Sequence, residues 1–166
     1  MSVLNDKQIG QILTRMAYEI IEQNIDAKQL VLVGINNNGH RLANLLCKEI
    51  QKIEGADVSP DLIRVRLNAA NPIDEEVVLE GDITSYKHHH VIIVDDVANT
   101  GRTLFFACKP FMERMVKKLQ VAVLVDRKHK SWPIHVDFVG LSLATTARDH
   151  IVVELGRIGR FSARIS

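Results

Sequence analysis

Cysteine is scarce in this 166-residue chain: Cys47 and Cys108 are the only two, and neither has a Cys or His nearby at metal-ligand spacing. Each sits in an apolar helical pattern, so both are read as core thiols rather than redox groups or metal ligands. Long apolar runs are also missing. Nothing approaches the roughly 18 consecutive apolar residues of a membrane span, and the polar start from Met1 to Gln8 holds no apolar export segment, so a cytoplasmic location is expected. Neither sign of charge prevails, with 21 Lys and Arg against 20 Asp and Glu. Nucleic acid would have to be met by a local basic patch, because phosphate contact depends on where cations cluster. Neither Gly-x-x-x-x-Gly-Lys-Ser/Thr nor Gly-x-Gly-x-x-Gly occurs, which argues against a P-loop enzyme and a dinucleotide-binding domain. No repeat, low-complexity tract or linker divides the chain, so residues 1–166 are expected to form one domain.

What is present is an alternation of short apolar runs and helical patterns. Asn5 can cap a helix with Gln8 at the reciprocal position, and Ile9, Ile12, Leu13, Met16, Ala17, Ile20 and Ile21 recur on one face. Leu30 to Ile35 is a continuous apolar strand that ends at the turn Asn36-Asn37-Asn38-Gly39, before a helix marked by Leu42, Leu45, Leu46, Ile50 and Ile53. Leu62 to Leu67 reads as a strand, Asn68 to Glu76 as a loop and Val77 to Leu79 as a brief extended piece. Strand Val91 to Val94 leads to a helix carrying Leu104, Phe105, Cys108, Met112 and Met115. Val121 to Val125 is a further strand, followed by Asp126-Arg127. Val136 to Leu143 and Ile151 to Leu155 are extended segments that finish the sheet edge or a small cap. This alternation predicts an α/β fold with a mostly parallel sheet and helices on both faces.

Residues 91 to 103, Val-Ile-Ile-Val-Asp-Asp-Val-Ala-Asn-Thr-Gly-Arg-Thr, carry the densest chemistry. A buried parallel strand delivers two carboxylates at its carboxyl end, where open α/β sheets bind ligands. Ionised carboxylates accept hydrogen bonds from hydroxyls and repel phosphate, so Asp95 and Asp96 suit a ribose. The hydroxyls and backbone amides of the turn that follows suit its 5′-phosphate. A magnesium-holding strand end of a nucleotide hydrolase lacks its P-loop partner here. A merely structural turn leaves unexplained why two acids, two threonines, a glycine and an arginine gather in nine residues.

The same thirteen residues resemble the 5-phosphoribosyl-1-pyrophosphate (PRPP) motif of type I phosphoribosyltransferases. Leu13 to Glu22, Leu32 to Ile35, Leu42 to Gly55, and Leu124 to His129 through Pro133-Ile134 to Asp137-Phe138-Val139-Gly140 are similar to the pyrimidine-operon attenuation regulator family, PyrR. The resemblance thins between residues 57 and 90 and after 143. It implies the type I phosphoribosyltransferase fold, magnesium with PRPP, conversion of uracil and PRPP to UMP and pyrophosphate, mRNA attenuation, and a homodimer or higher assembly. By position it implies that Asp95 and Asp96 hold the ribose hydroxyls and that Ala98, Asn99, Thr100, Gly101, Arg102 and Thr103 hold the 5′-phosphate. Asn36, Asn37, Asn38 and Gly39, followed by His40 and Arg41, face the pyrophosphate. Val139, Gly140 and Leu141 flank the base, with Asp126 and Arg127 at the neighbouring strand end.

The departures fall around that site. Where the family reads Lys-Thr-Arg-Gly at the pyrophosphate turn, this chain is neutral, and each lost cation removes a contact worth roughly 1.5–3 kcal/mol. The family's Tyr-Arg-Asp-Asp lid is replaced by Arg64-Val65-Arg66-Leu67, in which Arg66 is the candidate catalytic cation. The family's first-helix histidine is Tyr18, and its lysine after Val-Gly is Leu141. Arg157, Arg160 and Arg164 form a small basic cluster around Gly156 and Gly159. His88-His89-His90 reads as a loop. A catalytically weak PRPP- or nucleotide-binding regulator, with or without RNA binding, is therefore the alternative to an active transferase.

Overall fold

A computed structural model of the chain describes residues 1–81, 86–146, 148–156 and 160–166. After a short strand, β1 (Ser2–Leu4), Asn5 and Gln8 exchange the two hydrogen bonds of a capping box, each 2.9 Å, at the head of α1 (Asp6–Gln23). Such a cap contributes about 1 kcal/mol. The stripe that α1 buries is Ile9, Leu13, Met16, Ala17 and Ile20, as its period demands.

The next elements are β2 (Gln29–Ile35), α2 (Asn36–Gln51), β3 (Asp61–Arg66), β4 (Val78–Glu80) and β5 (His89–Ala98). They are followed by α3 (Arg102–Ala107), α4 (Lys109–Met112), β6 (Lys118–Arg127) and β7 (Phe138–Leu143). The six strands form one sheet in the order β4-β3-β2-β5-β6-β7, parallel throughout except for β3 with β4. Successive residues of β2 feed opposite faces. Leu30 and Leu32 join the core with α1 and α2, while Val31, Val33 and Ile35 join the core with α3 and α4. Both faces are therefore covered, which is why the central strands read as unbroken apolar runs.

A second, antiparallel sheet has the order β1-β9-β8, from β8 (Ile151–Leu155) and β9 (Phe161–Ile165). Val153, Leu155 and Ala163 bury its inner face on the α1 and α2 side of the molecule. Among the described residues no helix is long and apolar enough to cross a membrane.

Three expectations change. The helix foreseen through Met115 breaks at Cys108, because Pro110 lacks the N–H a helix interior needs and is tolerated only in the first turn of α4. Met112 and Met115 are consequently exposed. His89 and His90, read as loop, open β5, since pairing with Gln29 and Leu30 continues past the apolar run. The turn Asn36 to Gly39 is the first turn of α2.

Candidate functional site

Strand order fixes where the site lies. From β2 the chain crosses by α2 to β3 on one side, and from β5 it crosses by α3 and α4 to β6 on the other. The reversal leaves a crevice between the carboxyl ends of β2 and β5, the place where open α/β sheets take ligands. A cavity of about 500 Å³ occupies it. Its walls are Ile35 and Asn36 to Asn38 from one strand end, Asp95 to Val97, Asn99 and Thr103 from the other, and Ala69 and Ile151.

Asp95 is buried and Asp96 half-buried, both inside β5 rather than beyond it. Asp95 accepts the Asp96 N–H at 2.9 Å, while Asp96 accepts the Val97 N–H at 2.9 Å and the Asn38 Nδ2 at 3.1 Å. Neither carboxylate has a basic partner among the described residues. Burial, and then the neighbouring Asp96, push the Asp95 carboxyl well above the usual carboxylate range. Two adjacent acids without a counter-cation form a donor set for a cation that brings its own oxygen ligands.

The three asparagines are engaged one by one. Asn36 adopts φ 49°, a left-handed conformation that asparagine tolerates, and clasps the Leu67 backbone through both ends of its carboxamide, at 3.1 and 3.0 Å. Asn37 Oδ1 accepts from Arg64 Nη1 at 2.9 Å. Gly39 lies where a methyl group would stand 2.5 Å from the Val94 carbonyl oxygen, so only glycine lets α2 approach β5 this closely. His40 is half-buried, and burial, followed by Arg64, holds its imidazole below the usual range.

Gly101, at φ 86°, heads α3, and a Cβ there would stand 2.4 Å from Ile134 Cγ2. The segment after β6 buttresses this loop from behind, because the Ser131 and Trp132 N–H groups donate to the Thr100 carbonyl at 3.0 and 3.2 Å. The planar peptide then directs the Gly101 N–H the opposite way. Residues Val97 to Leu104 wrap a small cavity of about 40 Å³. The Arg102 side chain points elsewhere, donating to the Ala69 and Ala70 carbonyls at 3.1 and 3.0 Å.

Other expected residues stand outside the 500 Å³ cavity. Arg66 is exposed and bonds to Glu80, which also faces Arg64 Nε at 3.1 Å. Asp126 pairs with Lys130. Val139, Gly140 and Leu141 lie on β7, two strands from β5, where the Val139 and Gly140 carbonyls accept from Arg15 of α1 at 3.3 and 2.5 Å. Arg127 is buried and reaches Asn99 Oδ1 with Nη1 at 2.9 Å, Thr145 Oγ1 with Nε at 2.7 Å and the Thr146 carbonyl with Nη2 at 2.7 Å.

Sequence reasoning missed Ala69 and Ile151, whose apolar side chains carry no chemical signal. It also missed a neighbouring cavity of about 620 Å³ lined by Asn38 and Arg41 of α2, by Val153 to Leu155 of β8, and by Gly156 and Arg160 next to β8 and β9. Two guanidinium groups face one space there, while Glu154 is taken by Arg164 at 2.6 Å. Of the carboxyl-terminal arginines, Arg157 lies outside the described residues, as does Gly159.

The sequence matches the phosphoribosyl transferase domain family over residues 2–156. It is 36% identical over 160 residues to the bifunctional protein PyrR of Macrococcus caseolyticus, covering 94% of this chain and 92% of that protein. With the bifunctional protein PyrR of Ligilactobacillus salivarius it shares 39% over 163 residues, again with 94% and 92% covered. The fold is also that of the Trypanosoma cruzi hypoxanthine phosphoribosyltransferase, with a TM-score of 0.79 at 16% identity over 99% of this chain and 94% of that one. A hypoxanthine-guanine phosphoribosyltransferase of Bacillus anthracis superimposes with a TM-score of 0.77 at 18% identity, over 100% and 98%. With the type I fold, the crevice at the strand reversal and relatives matched almost end to end, the chain belongs to the phosphoribosyltransferase family and, within it, to the PyrR proteins.

Proposed function

We propose that residues 1–166 act as one domain that transfers ribose 5-phosphate from PRPP to a pyrimidine, uracil giving UMP and pyrophosphate. The observation that carries this reading is the convergence, in one crevice, of two carboxylates with no basic partner among the described residues, a hydroxyl- and amide-bearing loop and a carboxamide-lined helix start. Asp95 and Asp96 accept hydrogen bonds from the ribose hydroxyls, and Ala98 to Thr103 hold the 5′-phosphate through backbone N–H groups and the Thr100 and Thr103 hydroxyls. Pyrophosphate lies toward Asn36 to Gly39. The cations this turn lacks come from Arg41 and Arg160 across the adjoining cavity.

Attack by the base nitrogen on the anomeric carbon forms the C–N bond as the bond to pyrophosphate oxygen breaks. Positive charge builds on the ribose and negative charge on the leaving group, so holding the reactants in line and excluding water supply most of the rate. The paired acids fit magnesium, which takes one or two carboxylates and completes its shell with substrate oxygens. When bound it would screen the departing pyrophosphate.

A second reading is favoured by the turn itself. Every carboxamide of residues 36 to 38 is bonded to protein and none carries charge, which suits a nucleotide-sensing regulator that has given up turnover. In that reading RNA meets the exposed Tyr18 of α1 and the carboxyl-terminal arginines, and two or more copies assemble. Calorimetric titration of magnesium-PRPP, followed by an assay of UMP from uracil, separates the two: binding with product supports the transferase, and binding without product across a panel of bases supports the regulator. Affinity for a leader RNA hairpin should fall steeply with salt; salt-independent binding would remove the RNA branch.

A further inference from the structure

Two arginines stand directly behind the crevice without lining it. Arg127 and Arg64 each donate to the side-chain oxygen of an asparagine that does line it, Asn99 and Asn37, both at 2.9 Å. A guanidinium has only donors, so the carboxamide atom facing it must be oxygen. The orientation of both amides is thereby fixed by chemistry. Their Nδ2 groups are left on the far side, with no acceptor among the described residues. Asn36 differs because both ends of its carboxamide are tied to Leu67. Asn38 is reversed, spending Nδ2 on Asp96 and presenting Oδ1.

We infer that Arg127 and Arg64 are positioning residues that make Asn99 and Asn37 obligate hydrogen-bond donors toward the ligand. The crevice then offers donors at 37 and 99 to phosphate, ribose or base-carbonyl oxygens and an acceptor at 38 to hydroxyls. Positive charge stands one residue behind the neutral surface. A neutral amide cannot take a proton, so neither asparagine serves as a general base, and the site selects a ligand rich in acceptors where these residues reach it. Arg127 carries the stronger case: it is buried, it has no carboxylate partner among the described residues, and its other bonds hold the chain at Thr145 and Thr146.

This inference rests on the site being a magnesium-PRPP site, and calorimetry with that ligand tests both. Asn99→Asp keeps the shape, gives Arg127 a carboxylate and removes the donor. It should melt at or above the wild-type temperature while binding magnesium-PRPP at least about tenfold more weakly. Undiminished affinity in Asn99→Asp would overturn the inference. Arg127→Lys and Asn99→Ala, singly and together, complete a double-mutant cycle. If Arg127 acts through Asn99, the pair binds no more weakly than Asn99→Ala alone, and additive losses would refute that route. In ¹⁵N-labelled protein the Asn99 Nδ2 resonances should shift on titration and lose that response in Arg127→Lys; an unmoved wild-type resonance in saturated protein would count against the contact. A wild type that does not bind the ligand overturns the reading of the site itself.

Discussion

Gly39→Ala tests whether the crevice depends on the close approach of α2 to β5. The added methyl would stand 2.5 Å from the Val94 carbonyl oxygen and 3.2 Å from Ile35 Cβ, and ordinary contact begins at 3.4 Å. Relief requires a separation of about 0.9 Å, the difference between 3.4 and 2.5 Å. The obstructing oxygen belongs to the backbone of a central strand, so the overpacking cost lies toward the upper end of the usual range, about 3 kcal/mol. Alanine's helix propensity returns about 1 kcal/mol. The net loss of about 2 kcal/mol lowers the melting temperature by roughly 4–8 °C in a domain of this size. The effect on function should be larger. Asn38 and Asp96 stand on the two elements forced apart, at 3.1 Å, and a displacement near 1 Å at a reacting centre can cost about 100-fold. Thermal melts read the first effect, and UMP formation from uracil at saturating magnesium-PRPP reads the second. Gly10→Ala is the control, since its Cβ meets nothing within 4 Å, and it should stabilise α1 by about 0.5–1 kcal/mol without touching affinity. Gly39→Ala protein with the wild-type rate of UMP formation and the wild-type melting temperature would show that the crevice does not depend on this close approach.

Further tests follow from the titratable groups. Asp95 is raised by burial and by Asp96, so the folded chain keeps a proton that the unfolded chain releases near its ordinary pKa of 3.8. Stability from this group is therefore lost as pH rises from that value through the folded pKa. Asp95→Asn should remove the decline, so the variant's advantage in melting temperature grows with pH in ligand-free protein, whereas parallel curves would contradict the burial argument. Burial lifts the Cys47 thiol to about 12 and the Cys108 thiol to about 11. Neither should react with a thiol reagent at pH 8 until denaturant is added; rapid native labelling would show that one of them is accessible. Thr103→Ala, at the cavity wall, should weaken 5′-phosphate binding about tenfold with little change in melting temperature, a split that equal losses in both would deny.

The parts legible in the sequence are those set by local pattern. Continuous apolar runs at 30–35, 91–94 and 121–125 mark strands buried on both faces, and Asn5 with Gln8 marks the start of α1. Strand ends were less legible because ladder pairing, as between His90 and Lys118, continues into polar residues. β1 is too short to carry a period, and it pairs with β9 across nearly the whole chain, Ser2 opposite Arg164. Within the site, the convergence of Asn36 to Asn38 with Asp95, Asp96, Asn99 and Thr103 could be anticipated because each lies near or just beyond the carboxyl end of β2 or β5, which run parallel. The ties of Arg127 to Asn99 and of Arg64 to Asn37 could not. They join residues 28 and 27 positions apart, an arginine on β6 to the loop after β5 and an arginine on β3 to the first turn of α2, and a lone arginine near a strand end gives no sign of its partner.

The carboxylates, the phosphate loop and the carboxamide turn, if they form one site for PRPP, must lose affinity together when one of them is altered. The most direct measurement is calorimetric titration of magnesium-PRPP into the wild-type chain and into Asp96→Asn, with UMP formation from uracil followed in the same preparations. One site per chain, at least about tenfold weaker binding in Asp96→Asn, and product from the wild type are expected. Absence of binding to folded wild-type protein, or equal affinity in the variant, would contradict a single site for PRPP.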